Sequence, residues 1–577
     1  MAVITKDGGI LMKVALGIHV GHDRGACIII DGKVIAALAN ERIDRIKYSQ
    51  SIKIPFETID TLLKYCNLNI NDINVIGLSG VAFEGMKMYN WYISEFFAYY
   101  KCNHIPFHLI SHHEAHAYST YYSSGQDRSL VFVFDGGGDF IHSMQESETI
   151  YIGQDGNLTE IDRRLQNMAV RHMKDEINHV FPLMPEYVQN LEMSLARKYS
   201  QITRLLGFGF GQEGKTMGLA SYGKPFIDYS DVDLKTLNFS LKYGDLIKSL
   251  YTMQQRDGEK FREYIYKERE NIASTVQNFI EHAVVSIISS YTEKYDIRNI
   301  CLAGGLFLNC LTNHKILEKC DLDNVFFLPS SGDDGQALGC AYYAYIHEFG
   351  YESTFEIELP YLGIFFSESE IRNAIEAKGL TYNVYSDAEL AFIMAKYIEQ
   401  NKIVAFHRGK TELGPRALCH RSIFANPTNP DMKDILNNRV KHRESFRPFA
   451  PTVIEEDQFK YFNLLQSSPY MLLATTVKEE YRKQLPSITH IDNTARIQSV
   501  SQKREPFIHS FLIELKKTIG VSVVLNTSFN VAGQPIVEKP SDAIDTFLLN
   551  DMDVLVIGNC VIEKQCSSFP ISGNHIL

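Results

Sequence analysis

At 577 residues the chain exceeds the size of one ordinary core, which favours two large domains or three to four smaller ones. Its 45% hydrophobic and 22% charged residues describe a folded chain, which excludes a disordered one. A formal net charge of −12 repels phosphate backbones and anionic lipid, so nucleic acid and membrane are excluded as default partners.

Ten scattered cysteines without a CxxC pair argue against a zinc ribbon or a secreted disulfide framework and favour a reducing, cytoplasmic setting. No run reaches the uncharged length of a membrane span. Residues 1 to 11 read as an extension ahead of the first strand.

Residues 13 to 40, "KVALGIHVGHDRGACIIIDGKVIAALAN", read as a strand, a polar loop and two strands joined at the Asp31-Gly32 hairpin turn. Within the loop, His22 has the pKa range of a general base toward a hydroxyl, with Asp23 beside it; a solvated loop histidine is the plain alternative. The pattern returns at 129 to 156, "SLVFVFDGGGD" and later "DGN", which suggests an internal duplication. Such halves characterise the actin, sugar-kinase and Hsp70-type fold, with the ligand in the cleft between them.

The stretch "SHHEAHAYS" carries Ser111 and Glu114 in capping-box spacing, so a helix begins at His112. His112 and His116 then share one face with Cβ atoms about 6 Å apart, close enough for one ion, while His113 points elsewhere. Asp135 ends a strand in "VFVFDGGGD", and Asp333 and Asp334 lie in "SSGDDGQALG". Two imidazoles with carboxylates suit iron, manganese or zinc as a Lewis acid, although a turn or N-cap role serves each aspartate equally well.

Apolar positions from Ile272 to Tyr291 have helical spacing and predict a core helix over 267–291. It leads into "NICLAGGLFLNCLTNHKI", a strand, Gly304-Gly305 and a helix, a junction that admits close backbone approach by a ligand or makes a tight turn. The pattern loosens between 355 and 390, where the domain boundary is placed. New strands follow in "KIVAFHRG", "MLLATTV", "VSVVLNTSFN" and "DVLVIGN".

The second half concentrates Arg408, Lys410, Arg416, Arg421, Lys441, Arg443 and Arg447 among rigidifying prolines, which suits a small phosphate-bearing molecule; a solvated face is the alternative. "HIDNTARIQSV" adds Arg496. Asn526, Thr527, Ser528 and Asn530 end a strand as short polar groups fit for carbonyl, amide or phosphate oxygens, or for an Asx or ST turn.

Taken together, "HHEAHA", "GKTMGLASYG", "GDDGQALG", "GPRAL", "RESFRPFAP", "TARIQ" and "NTSFN" resemble the NodU/CmcH family of carbamoyltransferases, which includes the tobramycin and cephem O-carbamoyltransferases. The resemblance runs from about Val14 to about Ile562. It implies an α/β fold with a duplicated Kae1-like domain of the actin/Hsp70 superfamily over 12–360 and a YrdC-like domain over 361–577. It further implies that carbamoyl phosphate and ATP give carbamoyl adenylate, whose carbamoyl group passes to a hydroxyl of a small natural-product acceptor. By this resemblance Arg416, Lys441, Arg443, Arg447, Arg496 and Ser528 serve the first step; His112, His116, Asp135 and Asp333 hold a divalent ion, iron first, with magnesium, manganese or zinc as alternatives. His22 matches the base; Lys215, Gly304, Gly305 and Asn309 match nucleotide contacts, and assembly as a homodimer is compatible.

Three features depart from the family. Arg24 in "HDRGAC" is expected to narrow or charge the acceptor entrance, Cys419 replaces a glycine and puts a turn in doubt, and residues 160 to 205 are assigned to acceptor recognition. A tRNA-modifying enzyme of the same fold would need a basic surface that −12 disfavours, and a hydrogenase-maturation carbamoyltransferase would carry CxxC fingers. A non-catalytic ATP-binding protein of the actin/Hsp70 type would leave the basic cluster unexplained.

Overall fold

Strand β1 (Val14–His19) turns into β2 (Gly25–Ile30), and β2 into β3 (Lys33–Ala39), through Asp31 and Gly32 at φ 47° and 76°. Two successive positive φ values make the turn that follows the twist of a hairpin, as the Asp-Gly pair predicts. Strands β4 (Val75–Ser79) and β5 (Phe107–Leu109) add in parallel to give the order β3-β2-β1-β4-β5. These coordinates are a computed structural model describing residues 12–49, 51, 53–81, 86–167, 193–227, 229, 241–350, 355 and 357–564.

Helix α1 (His112–Ser124) leads to a second sheet of β6 (Arg128–Phe134), β8 (Met144–Gln154), β9 (Asn157–Asn167), β10 (Asn299–Ala303) and β11 (Asn324–Phe327), with the short β7 (Phe140–Ile141) pairing the start of β8. Its order, β9-β8-β6-β10-β11, repeats the first sheet strand for strand, and the parallel and antiparallel pairs correspond throughout. Asp155 and Gly156, φ 51° and 74°, even repeat the hairpin turn. The expected duplication of the half-domain is therefore present in the topology.

Helices α2 (Glu213–Ala220), α3 (Arg269–Tyr295), α4 (Cys310–Lys319) and α5 (Gln336–Phe349) complete this part. All nine apolar positions that predicted α3 are buried. Helices α1 and α5 lie between the two sheets, sharing a core with Ala15, Cys27, Val131, Val133 and Cys301. They can approach because a Cβ at Gly339 would stand 1.9 Å from Ala115 O, so only glycine fits there.

The remaining strands, β12 (Asn383–Val384), β13 (Val404–His407), β14 (Arg421–Ala425), β15 (Ala450–Ile454), β16 (Leu473–Thr476), β17 (Thr494–Val500), β18 (Val523–Ser528), β19 (Val554–Ile557) and β20 (Cys560–Glu563), form one sheet ordered β12-β20-β19-β13-β14-β18-β15-β17-β16. The four predicted strands are β13, β16, β18 and β19. Helices α6 (Asp387–Glu399) and α7 (Pro506–Ile519) cover one face. This sheet joins the first part through Arg42 Nη2 to Gly414 O at 2.9 Å, Asn313 Nδ2 to Leu472 O at 3.0 Å and the Lys215–Glu444 ion pair at 2.6 Å. Residues 1 to 11, and 168–192 of the segment assigned to acceptor recognition, lie outside the described residues.

Candidate metal centre and cationic pocket

Ser111 caps α1 by accepting the Glu114 N–H at 3.3 Å, and Asp139 Oδ2 accepts the His112 N–H at 3.0 Å. The helix thus starts at His112 as predicted, and its first turn is held from two sides. One donor atom from each of His112, His116, Asp135 and Asp333 lies within 4.8 Å of every other. His112 Nε2 is 3.5 Å from Asp135 Oδ2 and 3.3 Å from Asp333 Oδ1, and His116 Nε2 is 3.2 Å from that same Oδ1.

Three imidazole nitrogens in this cluster, His112 Nε2 and both Nδ1 and Nε2 of His116, are buried without a hydrogen-bond partner. Buried orphans of this kind are costly unless a cation satisfies them, so the donor set fits a divalent ion. His112 Nδ1 lies 2.9 Å from Gly80 O, a contact that requires the proton on Nδ1 and leaves the Nε2 lone pair facing the acids. Burial opposes ionisation of Asp333, yet the His22 and His112 rings outweigh it and hold the carboxyl well below the usual range. The neighbouring Asp334 goes the other way: burial, then Asp23 and Glu41, raise it well above that range, and of the two only Asp333 belongs to the donor cluster.

His22 Nε2 stands 3.0 Å from Asp333 Oδ2, and its Nδ1 is 3.1 Å from Asp23 Oδ2. Burial works against its charge, but Asp333 and Asp23 raise it to about 9. Its ring is a third exposed, with Phe210 edge-on at 5.5 Å and itself 41% exposed. His19, which the sequence reading passed over, lies fully buried behind it, and burial lowers it to about 3. The available signal was the three-residue spacing of His19 and His22 at the end of the first strand.

Asp135 is positioned by the Gly304-Gly305 junction. Gly305 N–H donates to Asp135 Oδ1 at 2.8 Å, and Gly304, at φ 97°, lies so close to β6 that a Cβ would be 2.3 Å from Phe134 O. The 3₁₀ turn Gly305–Leu308 then ends where Arg416 Nη2 donates to Leu308 O at 3.3 Å. One short turn, roughly 6 Å of rise, therefore contacts Asp135 of the His/Asp cluster at one end and Arg416 of the basic cluster at the other. Asn309 caps α4 through Thr312 N at 3.1 Å and exchanges hydrogen bonds with Gln277.

In the second half, Lys441 is buried, with Nζ donating to Ser528 O, to Ser528 Oγ at 3.3 Å, and to Asn530 O and Oδ1, each at 3.0 Å. Burial, followed by Arg443, Arg447 and Lys47, pushes its pKa well below the ordinary lysine value. Arg443 lies 4.2 Å over the Phe449 ring and is lowered to about 9 by burial and then Arg447. Arg496 falls to about 9 through burial and then Arg416. Among the described residues neither Arg447 nor Arg496 has an acidic group within ion-pair distance, and Arg496 is lowered further by Arg416, Arg443 and Arg447 nearby.

Not every predicted residue enters the pocket. Asn526 Nδ2 is spent on Ala417 O, Thr452 Oγ1 and Gln498 Oε1 within the sheet. Arg408 pairs with Asp387 at 2.8 Å, and Arg421 is buried on the carbonyls of Arg408, Gly409 and His420. Lys215 is paired with Glu444 of the "RESFRP" loop. Arg24 spends its donors on Ser49, Lys53 and Asp44, bracing the 44–53 loop. Cys419 keeps the glycine-type turn at φ 88°, its thiol against Gln498 at 3.2 Å. Sequence reasoning missed Lys47 and Tyr48, which approach the pocket from the first part of the chain; Tyr48 Oη is anchored on Gly211 O at 2.6 Å.

The chain matches the family model described as Carbamoyltransferase N-terminus over residues 87–342 and that described as Carbamoyltransferase C-terminus over 395–564. It is 30% identical over 582 residues to nodulation protein NolNO of Sinorhizobium fredii, spanning 95% of this chain and 80% of that protein. Nodulation protein NolO of Bradyrhizobium diazoefficiens is 32% identical over 474 residues, 80% of each chain. Among solved structures, full-length HypF in its phosphate- and nucleotide-bound form is similar at a TM-score of 0.39 and 14% identity, over 61% of this chain and 58% of HypF. Two models that share one family description match successive parts of the sequence, and relatives align along most of its length: the chain belongs to the carbamoyltransferase family.

Proposed function

We propose that the protein is an ATP-dependent carbamoyltransferase that activates a carbamoyl group in the cationic pocket and delivers it at the His/Asp centre to a hydroxyl of a small acceptor. The finer reading of the fold, an actin/Hsp70-type duplicated half followed by a YrdC-like half, belongs to this proposal. The observation that supports it best is the Gly305–Leu308 turn, which donates to Asp135 at one end and accepts from Arg416 at the other.

In the first step carbamoyl phosphate, ATP and water become carbamoyl adenylate, inorganic phosphate and pyrophosphate. Arg416, Arg443, Arg447 and Arg496 neutralise the phosphates, and an anion offsets the burial that depresses all four groups, together with the repulsion felt by Arg416, Arg443 and Arg496. Lys441, held by Ser528 and Asn530, adds a positioned positive charge. His112, His116, Asp135 and Asp333 would hold a divalent ion, which when bound would supply positive charge beside the transferring group. Against burial, Asp333 and Asp23 keep His22 protonated up to about pH 9. In its neutral form His22 Nε2 takes the proton of the attacking hydroxyl as the hydroxyl oxygen bonds to the carbamoyl carbon and AMP departs, so transfer is expected to rise with pH through neutrality. Phe210 gives the acceptor an apolar wall beside that base.

The test is pyrophosphate release from ATP and carbamoyl phosphate. Lys441→Ala is expected to lower it by at least about 100-fold, the scale of losing a positioned transition-state charge. Unchanged release in that variant contradicts the assignment of the activating site.

A further inference from the structure

Proton positions behind the metal centre follow from one amide. Gln336 Nε2 donates to His112 O at 3.1 Å, so its Oε1 faces Ser79, whose hydroxyl donates to it at 3.0 Å. With its single proton spent, Ser79 Oγ accepts from His19 Nδ1 at 2.9 Å. His19 is thereby fixed with its proton on Nδ1 and a lone pair on Nε2.

That Nε2 is fully buried, lacks a hydrogen-bond partner and stands 3.8 Å from Asp333 Oδ2, an oxygen that also has His22 Nε2 at 3.0 Å. A buried imidazole lone pair facing a carboxylate oxygen is repelled unless a cation or a donor comes between them. Asp333 presents Oδ1 to His112 and His116 at 3.3 and 3.2 Å and Oδ2 to His19. Donors at about 2.1 Å from one ion stand roughly 3 to 4 Å apart, a range that contains all three separations. A chelating Asp333 would set one ion against three rings.

We propose that His19 is a third imidazole ligand of the metal centre, joining His112, His116, Asp135 and Asp333. The proposal rests on reading those four residues as a metal site. A set of three nitrogens and two carboxylates favours iron, cobalt, nickel, copper or zinc over magnesium or calcium, whose preferred ligands are all oxygen.

The test uses the full chain loaded with Cu²⁺, with pulsed electron paramagnetic resonance counting coordinated imidazoles, and Co²⁺ titration for affinity. Three imidazoles are expected in the wild type and two in His19→Asn, with Co²⁺ affinity weaker by roughly 10–100-fold. His22→Asn is expected to keep three, which decides the matter even if His19→Asn does not fold. Two imidazoles in the wild type, an unchanged count in His19→Asn, or two in His22→Asn overturns the proposal while leaving the four-residue site standing. A wild-type protein that binds neither ion overturns the metal-site reading and this inference with it.

Discussion

Single residues decide the geometry of the centre. Gly304 combines φ 97° with a backbone neighbour 2.3 Å from where a Cβ would sit, so Gly304→Ala forces β6 and β10 apart. The expected cost is about 3 kcal/mol or more, read as a lower denaturation midpoint; a variant within about 0.5 kcal/mol of wild type contradicts this account of the junction. The histidine pair on α1 was legible because a spacing of four on a capped helix has one geometric outcome. His19 was not, because its spacing to His22 says nothing of Asp333, which reaches it only through the fold. Asn309 and Asn526 show the reverse: polar residues at the right motif positions that in this structure cap a helix and tie a sheet together.

Elements were read more readily than their neighbours. The two Asp-Gly turns and the apolar spacing of α3 are local signals, and each element appeared where the sequence places it. The order of the nine-stranded sheet was not legible, since β14, β18 and β15 come from distant segments and pair by packing. The approach of α5 to α1 is similar in kind, depending on the missing side chain of Gly339. Gly339→Ala is expected to displace α1, cost about 2 to 4 kcal/mol and weaken Co²⁺ binding at His112 and His116 together. Denaturation and metal titration check both effects; loss of stability with unaltered metal affinity would separate helix packing from ligand placement.

At the scale of the whole molecule, the repeated hairpin unit foretold the duplicated sheets. The contributions of Lys47 and Tyr48 to a pocket in the second half could not be foretold, because they arise only from packing the halves together. Buried cations short of counter-charge are a strain that an anion relieves, so pyrophosphate is expected to raise the melting temperature. The gain is about 2.7 kcal/mol at a hundredfold excess over Kd. Arg496→Ala should shrink that gain, and an equal shift in both proteins would show pyrophosphate binding elsewhere.

The central claim is that activation and delivery occupy separate sites in one chain, and carbamoyl adenylate in the His112→Ala protein tests it most directly. Given carbamoyl phosphate and ATP, this variant is expected to release pyrophosphate and retain the adenylate, detected by mass spectrometry, without passing the group on. Absence of both adenylate and pyrophosphate, or full carbamoyl transfer by this variant, would contradict the account.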